Sequence, residues 1–403
     1  MSDDSEPDTE EEEEEEKHHK AAWLIGAELF RRIVVNSFKI PVTDDSRIYQ
    51  INCRYFVAIL AIFAVGTSIR HVVGVSIKCW CPAELRRFQV EYVDSYCWVS
   101  NTYYVPFQGS IPQNPIDREQ EEIPYYQWVP IILIFQTFFF FFPRWIWKTC
   151  CYYSDIKIKE LVNKADQAMY SAPNVQSHII KNLAHTVDRW IEIRDFKTSR
   201  VKSSIVKEKL NNIVNSGNYF TVLFLFVGVL YSVNSILQFY FLDAVLKNDF
   251  RTMGIDFISK VLKNEEGNSM VRFPRITFCD LLIRQMANVQ RWTVQCSLPI
   301  NLFNEKIFLI IWFMLIIGCA VNILYMIYNI YSFFISAWRY EHIKKYLMLN
   351  HPENFRENNQ CRKFVEKYLK TDGVLVIWLL GHNSSDIIVM ELIQELWTKY
   401  RRI

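Results

Sequence analysis

Between Glu122 and Arg144 lie 21 residues without a charge. At about 1.5 Å rise per residue, a helix of that length spans roughly 30 Å, the thickness of a bilayer's hydrocarbon core. Tyr125, Tyr126 and Trp128 mark one end of this stretch, and Trp145 and Trp147 the other. Amphipathic rings settle at the two membrane–water interfaces. Pro130 and Pro143 sit near the ends, where a missing amide donor costs least. A helix buried in a soluble core has no need of aromatic belts at both ends, so residues 125–147 are predicted to cross a membrane. The six Phe and unbroken apolarity argue that this helix faces lipid and neighbouring helices.

Three further stretches share the pattern. Residues 218–242 lie in a charge-free run between Lys209 and Asp243, and 307–335 in another between Lys306 and Arg339. Both are long enough to span with tilt to spare. The remaining candidate is weaker: residues 55–69 are only 15 residues between Arg54 and Arg70. It becomes long enough, as 54–77, only if Arg70 and His71 are included. A charge in a span either snorkels to the headgroups or faces water or a partner for a functional reason, and Arg70 admits both readings.

Four spans place both termini on one side. Residues 148–217 carry 12 Lys/Arg against 7 Asp/Glu, and the tail after Ser336 carries 11 against 8. Residues 78–125 carry 4 basic against 7 acidic residues. An excess of basic residues marks the cytosolic side, so the termini and residues 148–217 are expected there, and residues 78–124 and 243–306 outside. The segment 243–306, with 9 basic residues, fits that rule least well. The first 20 residues have no apolar core and no signal-peptide pattern, which agrees with a cytosolic amino terminus. The expected order is therefore an acidic tail at 1–20, an N-terminal segment at 21–53, spans at 54–77, 125–147, 218–242 and 307–335, and a helical tail domain at 336–403.

Bulk composition adds little to this. The chain is 51% apolar with 29 Phe, 21 Tyr and 12 Trp, but its mean hydropathy is near zero because oily and charged segments average out. The net charge of +2 names no partner, and nothing points to nucleic acid. The cysteines are more informative. Cys79, Cys81 and Cys97 fall in the first outside loop and Cys279 and Cys296 in the second, where an oxidising exterior lets them pair. Cys53, Cys150, Cys151, Cys319 and Cys361 fall in the membrane or on the reducing side. Two cysteines per loop suggest staples between loops; spacing leaves three pairings open and Cys81 as the odd one. Cys79 and Cys81 with His71 do not make a zinc ligand set, so no metal is expected. No cofactor and no enzymatic activity are expected either, because no GxGxxG, GxxxxGK[ST] or HExxH motif and no paired catalytic groups are visible.

Several motifs carry a resemblance to a known family. YYQWVP at 125–130 (Tyr125, Tyr126, Gln127, Trp128, Val129, Pro130), followed by an apolar run and PRWIW, resembles the signature of the innexins, the invertebrate gap-junction proteins. KCWCPAE at 78–84 and YCWVSNTYYVP at 96–106 resemble that family's first outside loop. FPRITFCD at 273–280 and VQCSLPINLFNEKIFLIIWF at 294–313 resemble the second loop and the start of the last span, and YLKTDGVLVI at 368–377 resembles the tail. The likeness covers roughly 45–400.

The resemblance implies a mainly α membrane protein: a four-transmembrane-helix bundle subunit with disulfide-linked extracellular loops carrying short strands, and a helical cytosolic domain. It implies rings of eight subunits, homomeric or with other innexin-like chains, docking across an intercellular gap at the plasma membrane. It also implies that Cys79 pairs with Cys296 and Cys97 with Cys279. Two features depart from the family pattern: Cys81 is extra, and residues 1–20 are added in front, with seven consecutive Glu at 10–16.

The acidic tail cannot bury enough apolar surface to fold. Near a pore mouth it would concentrate cations. Residues 21–36 read as a helix with Glu28, Arg31 and Arg32 on one face, lining the vestibule or lying on the inner leaflet; the resemblance favours the vestibule. The first span, with Gly66, Thr67, Ser68, Arg70 and His71, is the least lipid-like and is the expected pore-lining helix. Alternating runs such as 272–279 suit strands, which the disulfides would tie into a rigid crown. In the tail, 374–380 is too short to span and is expected to pack in a dome. Residues 386–400 form an amphipathic helix with Ile388, Leu392 and Leu396 on one face. Asn383-Ser384-Ser385 matches a glycosylation sequon that a cytosolic position leaves unused. The alternatives to a docking channel are a non-docking hemichannel and a four-span adhesion or scaffold protein without a pore.

Overall fold

The computed structural model describes Leu24, Glu28, Arg31 and residues 45–73, 76–83, 85–106, 109–152, 156–200, 217–246, 250–263, 272–286, 288–350 and 358–402. The acidic tail, Arg32 and most of the expected N-terminal helix lie outside the described residues. Among the described residues, four helices are long and apolar enough to cross a membrane: Arg47–His71, Tyr125–Cys151, Tyr219–Val245 and Ile300–Phe334.

The first begins earlier than hydropathy suggests. α1 (Arg47–Gln50) starts at Ser46, whose Oγ accepts the Tyr49 amide at 3.4 Å. It runs through a π-helical turn, Ile51–Phe56, into α2 (Val57–Val73). The hydropathic run stops at Arg54, but nothing there interrupts the backbone hydrogen bonds.

Contacts group the chain into two compact units. One contains Phe56–Phe138 and Ser235–Ile317. Here β1 (Lys78–Trp80), α3 (Arg87–Val99), β2 (Thr102–Tyr103), α4 (Pro115–Gln120) and β3 (Glu122–Ile123) precede α5 (Tyr125–Tyr152). After α8 (Tyr219–Val245) come α9 (Met253–Lys263), β4 (Ile276–Gln285) and β5 (Asn288–Ser297), then α10 (Ile300–Phe334). The five strands form one antiparallel sheet in the order β1-β5-β4-β2-β3. Thr277, Cys279 and Leu281 alternate onto its buried face with Val294 and Cys296, the period-2 pattern of a half-covered sheet. The first outside loop carries short strands as expected and adds a helix to them. Residues 87–99 are helical, with Val93 and Cys97 buried one turn apart. That i, i+4 spacing was the available signal. Helix α10 likewise starts at Ile300, ahead of the expected 307. Its first turns bury Asn301, Asn304 and Glu305, and Arg275 neutralises Glu305 at 3.1 Å.

The other unit contains Lys39–Tyr55, Phe139–Asn234 and Gly318–Ile403. It adds α6 (Ile158–Met169), α7 (Pro173–Arg200) and α8 (Tyr219–Val245), the last continuing into the first unit. Beyond α10 follow α11 (Ser336–Asn350), α12 (Asn358–Lys363), a π-helical turn (Phe364–Leu369), α13 (Lys370–Asn383) and α14 (Asp386–Tyr400). Residues 374–380 of α13 are buried throughout. Around them α14 lays Ile388, Leu392 and Leu396, α6 lays Leu161, Val162 and Ala165, and α7 lays Leu183, Ala184 and Val187. Each large apolar side chain so buried contributes roughly 1.5–3 kcal/mol. A run that looks like half a membrane span is thus the centre of a helical core.

Candidate functional site

The disulfide-tied unit is built on two covalent bridges. Cys79 of β1 stands opposite Cys296 of β5 in the sheet and is bonded to it, with 3.9 Å between the Cα atoms. Cys97 of α3 is bonded to Cys279 of β4, Cα to Cα 5.8 Å. Both bridges join the 78–124 loop to the β4–β5 hairpin, closing loops of 217 and 182 residues. The sulfurs of Cys79, Cys97 and Cys296 lie within 4.8 Å of one another, but bridged cysteines offer no thiolate to a metal. Cys81 is a free thiol, raised above its ordinary pKa by burial and by the Asp94 carboxylate. Asp94 itself accepts the Cys79 amide at 2.8 Å.

A polar hub beside the bridges went unnoticed in the sequence. Asp280 receives Arg118 at 2.6 Å, the Tyr103 hydroxyl at 3.1 Å and the Thr293 hydroxyl at 2.7 Å. Burial and this carboxylate push the Tyr103 phenol up to about 12. Three segments, the farthest 177 residues away in sequence, therefore converge on one carboxylate. Nothing local in the sequence marks it.

The YYQWVP motif divides its work by face. Tyr125 donates to the Arg272 carbonyl at 3.2 Å and sets its ring edge-on to Phe273. Tyr126 is fully buried with its ring 5.0 Å from Trp98, and Gln127 donates to the Trp98 carbonyl. Val129 and Pro130 are buried; Trp128 is exposed. The motif thus fastens the start of α5 to α3 and to the segment before β4. Trp128 begins a stripe continued by Ile131, Phe135, Phe138, Phe142 and Trp145, all exposed at helical spacing.

The first span presents a different face. Tyr55, Gly66 and Arg70 are exposed and fall in line along the helix. A Cβ added at Gly66 would meet nothing within 4 Å. The Arg70 guanidinium sits 4.5 Å from the Phe303 ring centroid of α10. His71 is half-buried, edge-on to Trp98 at 5.3 Å. Arg70 and His71 thus contact different partners although adjacent in sequence. Thr67 and Ser68 turn their hydroxyls back onto the helix's own carbonyls. Glu28 and Arg31 form an exposed ion pair at 2.9 Å.

In the other unit, YLKTDG acquires a role that its letters did not reveal. Asp372 accepts both the amide and the hydroxyl of Thr221 at 3.0 Å, capping the first turn of the third membrane helix from 151 residues away. Burial raises the Asp372 carboxyl above its ordinary range, and the Thr221 bonds oppose that rise. Thr371 donates to the Gly217 carbonyl at 3.0 Å, and the Asp372 amide does so at 3.1 Å. Gly217 has φ +77° and would place a Cβ 2.5 Å from Lys370, so this junction needs glycine. Tyr368 donates to Asp188, which also pairs with Lys399 at 3.2 Å. The Asn383 side-chain amide of the sequon is occupied, donating to the Asp45 and Leu379 carbonyls.

Four membrane-crossing helices, two bridges between the loops and an unbroken helical core define a multi-pass membrane protein of the disulfide-crowned type. An innexin family model matches residues 45–400. Innexin unc-9 of Caenorhabditis elegans is 31% identical over 360 residues, covering 89% of this chain and 92% of the relative. Innexin-19 of the same organism is 31% identical over 381 residues (89% and 84%), and Innexin-3 is 29% identical over 378 (94% and 88%). The chain belongs to the innexin family of gap-junction channel subunits, which are channels and not enzymes.

Proposed function

We propose that this chain assembles with copies of itself or other innexins into an eight-membered ring that docks with a ring in the neighbouring cell and passes ions and small solutes. Its termini and residues 148–217 lie in the cytosol, and residues 78–124 and 243–306 outside. The basic excess of the former and the disulfides of the latter support this orientation. The first span lines the conduit, with Arg70 and His71 at its outer end and Glu28, Arg31 and Arg32 at the cytosolic mouth. The observation that carries this reading is the open face of that span. Tyr55, Gly66 and Arg70 sit in line on its uncovered side, and a Cβ added at Gly66 would meet nothing within 4 Å. Two bridges hold the crown rigid, so docking loses little conformational entropy.

Paired-cell recording is the test. Junctional current between two expressing cells supports a docked channel. Current confined to single-cell membranes identifies a non-docking hemichannel. Surface-delivered protein without current in either configuration overturns the pore.

A further inference from the structure

Helix α9 turns an apolar face outward. Ile255, Ile258, Val261 and Leu262 share one arc of the helix and are 60, 44, 59 and 80% exposed. Asp256, Ser259, Lys260 and Lys263 occupy the opposite arc. The helix is held at its N-terminal end. Met253 and Gly254 are buried, and the Phe257 ring stands edge-on to Phe313 of α10. A Cβ at Gly254 would lie 2.1 Å from the Trp312 ring, so only glycine permits this close approach. Arg272 grips Thr252 and Asp256, both at 2.5 Å. Arg251, just ahead of α9, bonds Asp243 near the end of α8 at 2.5 Å, and its carbonyl accepts the Trp312 indole at 3.2 Å.

These contacts set the depth of α9. Trp312 and Phe313 follow Lys306 by six and seven residues, so they lie within the first two turns of the charge-free run of α10. Asp243 ends the charge-free run of α8. Helix α9 therefore lies level with the point where two membrane helices leave the hydrocarbon. Tyr240 of α8, whose ring centroid lies 5.5 Å from the Arg251 guanidinium, is exposed as well, and it belongs to a membrane-crossing segment.

We propose that α9 is an interfacial helix that lies in the bilayer leaflet at the disulfide-tied end. Ile255, Ile258, Val261 and Leu262 dip into the acyl region, and Lys260 and Lys263 reach back to phospholipid phosphates. Long basic side chains flanking an apolar arc suit a headgroup boundary, where stem and charge each find their own medium. This contact with lipid does not depend on conduction.

The test is site-specific photocrosslinking in the full chain in cell membranes, with p-benzoylphenylalanine at Ile258, Leu262 or, on the polar arc, Ser259. The expected result is phospholipid adducts at 258 and 262, several-fold above 259 by mass spectrometry of the α9 peptide. A subunit–subunit band from 258 or 262 would assign the face to a second copy of the chain and overturn the proposal. So would equal lipid yields at all three positions.

Discussion

Asn52 and Asn322 exchange two side-chain hydrogen bonds, 2.8 and 3.0 Å long, between the first and fourth membrane helices. Both are buried, and Asn52 also donates to the Ile48 carbonyl within the π-helical turn. Each amide satisfies the other where no water is at hand. Replacing one alone strands its partner, at a cost of about 1–3 kcal/mol. Asn52→Leu and Asn322→Leu should each lower the melting temperature of the solubilised protein by several degrees, and the double variant by clearly less than the sum. Strict additivity would show that the pair is not coupled.

Asp372 caps a helix to which it does not belong. Asp372→Ala leaves the first turn of α8 without its acceptor and should cost about 1–2 kcal/mol. Asp372→Asn keeps an acceptor oxygen and avoids burying a charge, so it should fall between alanine and the native chain. Equal melting temperatures for all three proteins would contradict the cap.

His342 stacks on Trp338 at 4.9 Å, with Tyr346 edge-on at 5.5 Å and donating to Asp386. Burial, then Lys345 and His382, hold its pKa down to about 4, against the attraction of Asp386. The fold prefers the neutral ring. Its contribution is therefore fully present above the unfolded value near 6.5 and is lost as pH falls through about 4. At ~1.4 kcal/mol per pH unit this is on the order of 3 kcal/mol. His382, also lowered by burial, adds in the same direction. His342→Gln should melt with a flatter pH dependence between those values; a slope matching the native chain would remove His342 from the account.

Gly66 and Arg70 offer a test on conduction. A Cβ at Gly66 has open space around it, so Gly66→Trp should reach the surface normally and reduce unitary conductance. Arg70→Ala should shift charge selectivity. If conductance and selectivity both stay unchanged, the face belongs to lipid and Arg70 snorkels.

Non-reducing peptide mapping should recover Cys79 with Cys296 and Cys97 with Cys279, leaving Cys81 open to alkylation. Cys97→Ser should cost about 2–5 kcal/mol and most of the surface-delivered protein. Cys81→Ser should leave delivery near the native level.

The membrane helices were legible because length and unbroken apolarity are local properties, dictated by the solvent they must cross. The motif YYQWVP was legible as a family mark, but its letters gave no hint that Tyr126 and Gln127 reach Trp98. The helix at 87–99 escaped notice because its buried positions, Val93 and Cys97, are few and large apolar rings, Phe88 and Tyr92, lie on its exposed face. Asp280 and Asn52 escaped notice for another reason. A single polar residue carries no periodicity, and its partners lie 162 and 270 positions away.

By itself, then, the sequence determined the number of spans, the split of cysteines between loops and the family. Each follows from hydrophobicity or from neighbouring letters. Of the aromatic belt residues, by contrast, Tyr125, Tyr126 and Trp147 turned out to be buried. Only the tertiary structure decided that Asp372 caps α8, which helices pack around residues 374–380, that Gly66 faces open space and that α9 turns its apolar arc outward. Those depend on which surfaces meet, and packing brings together residues that no local pattern connects.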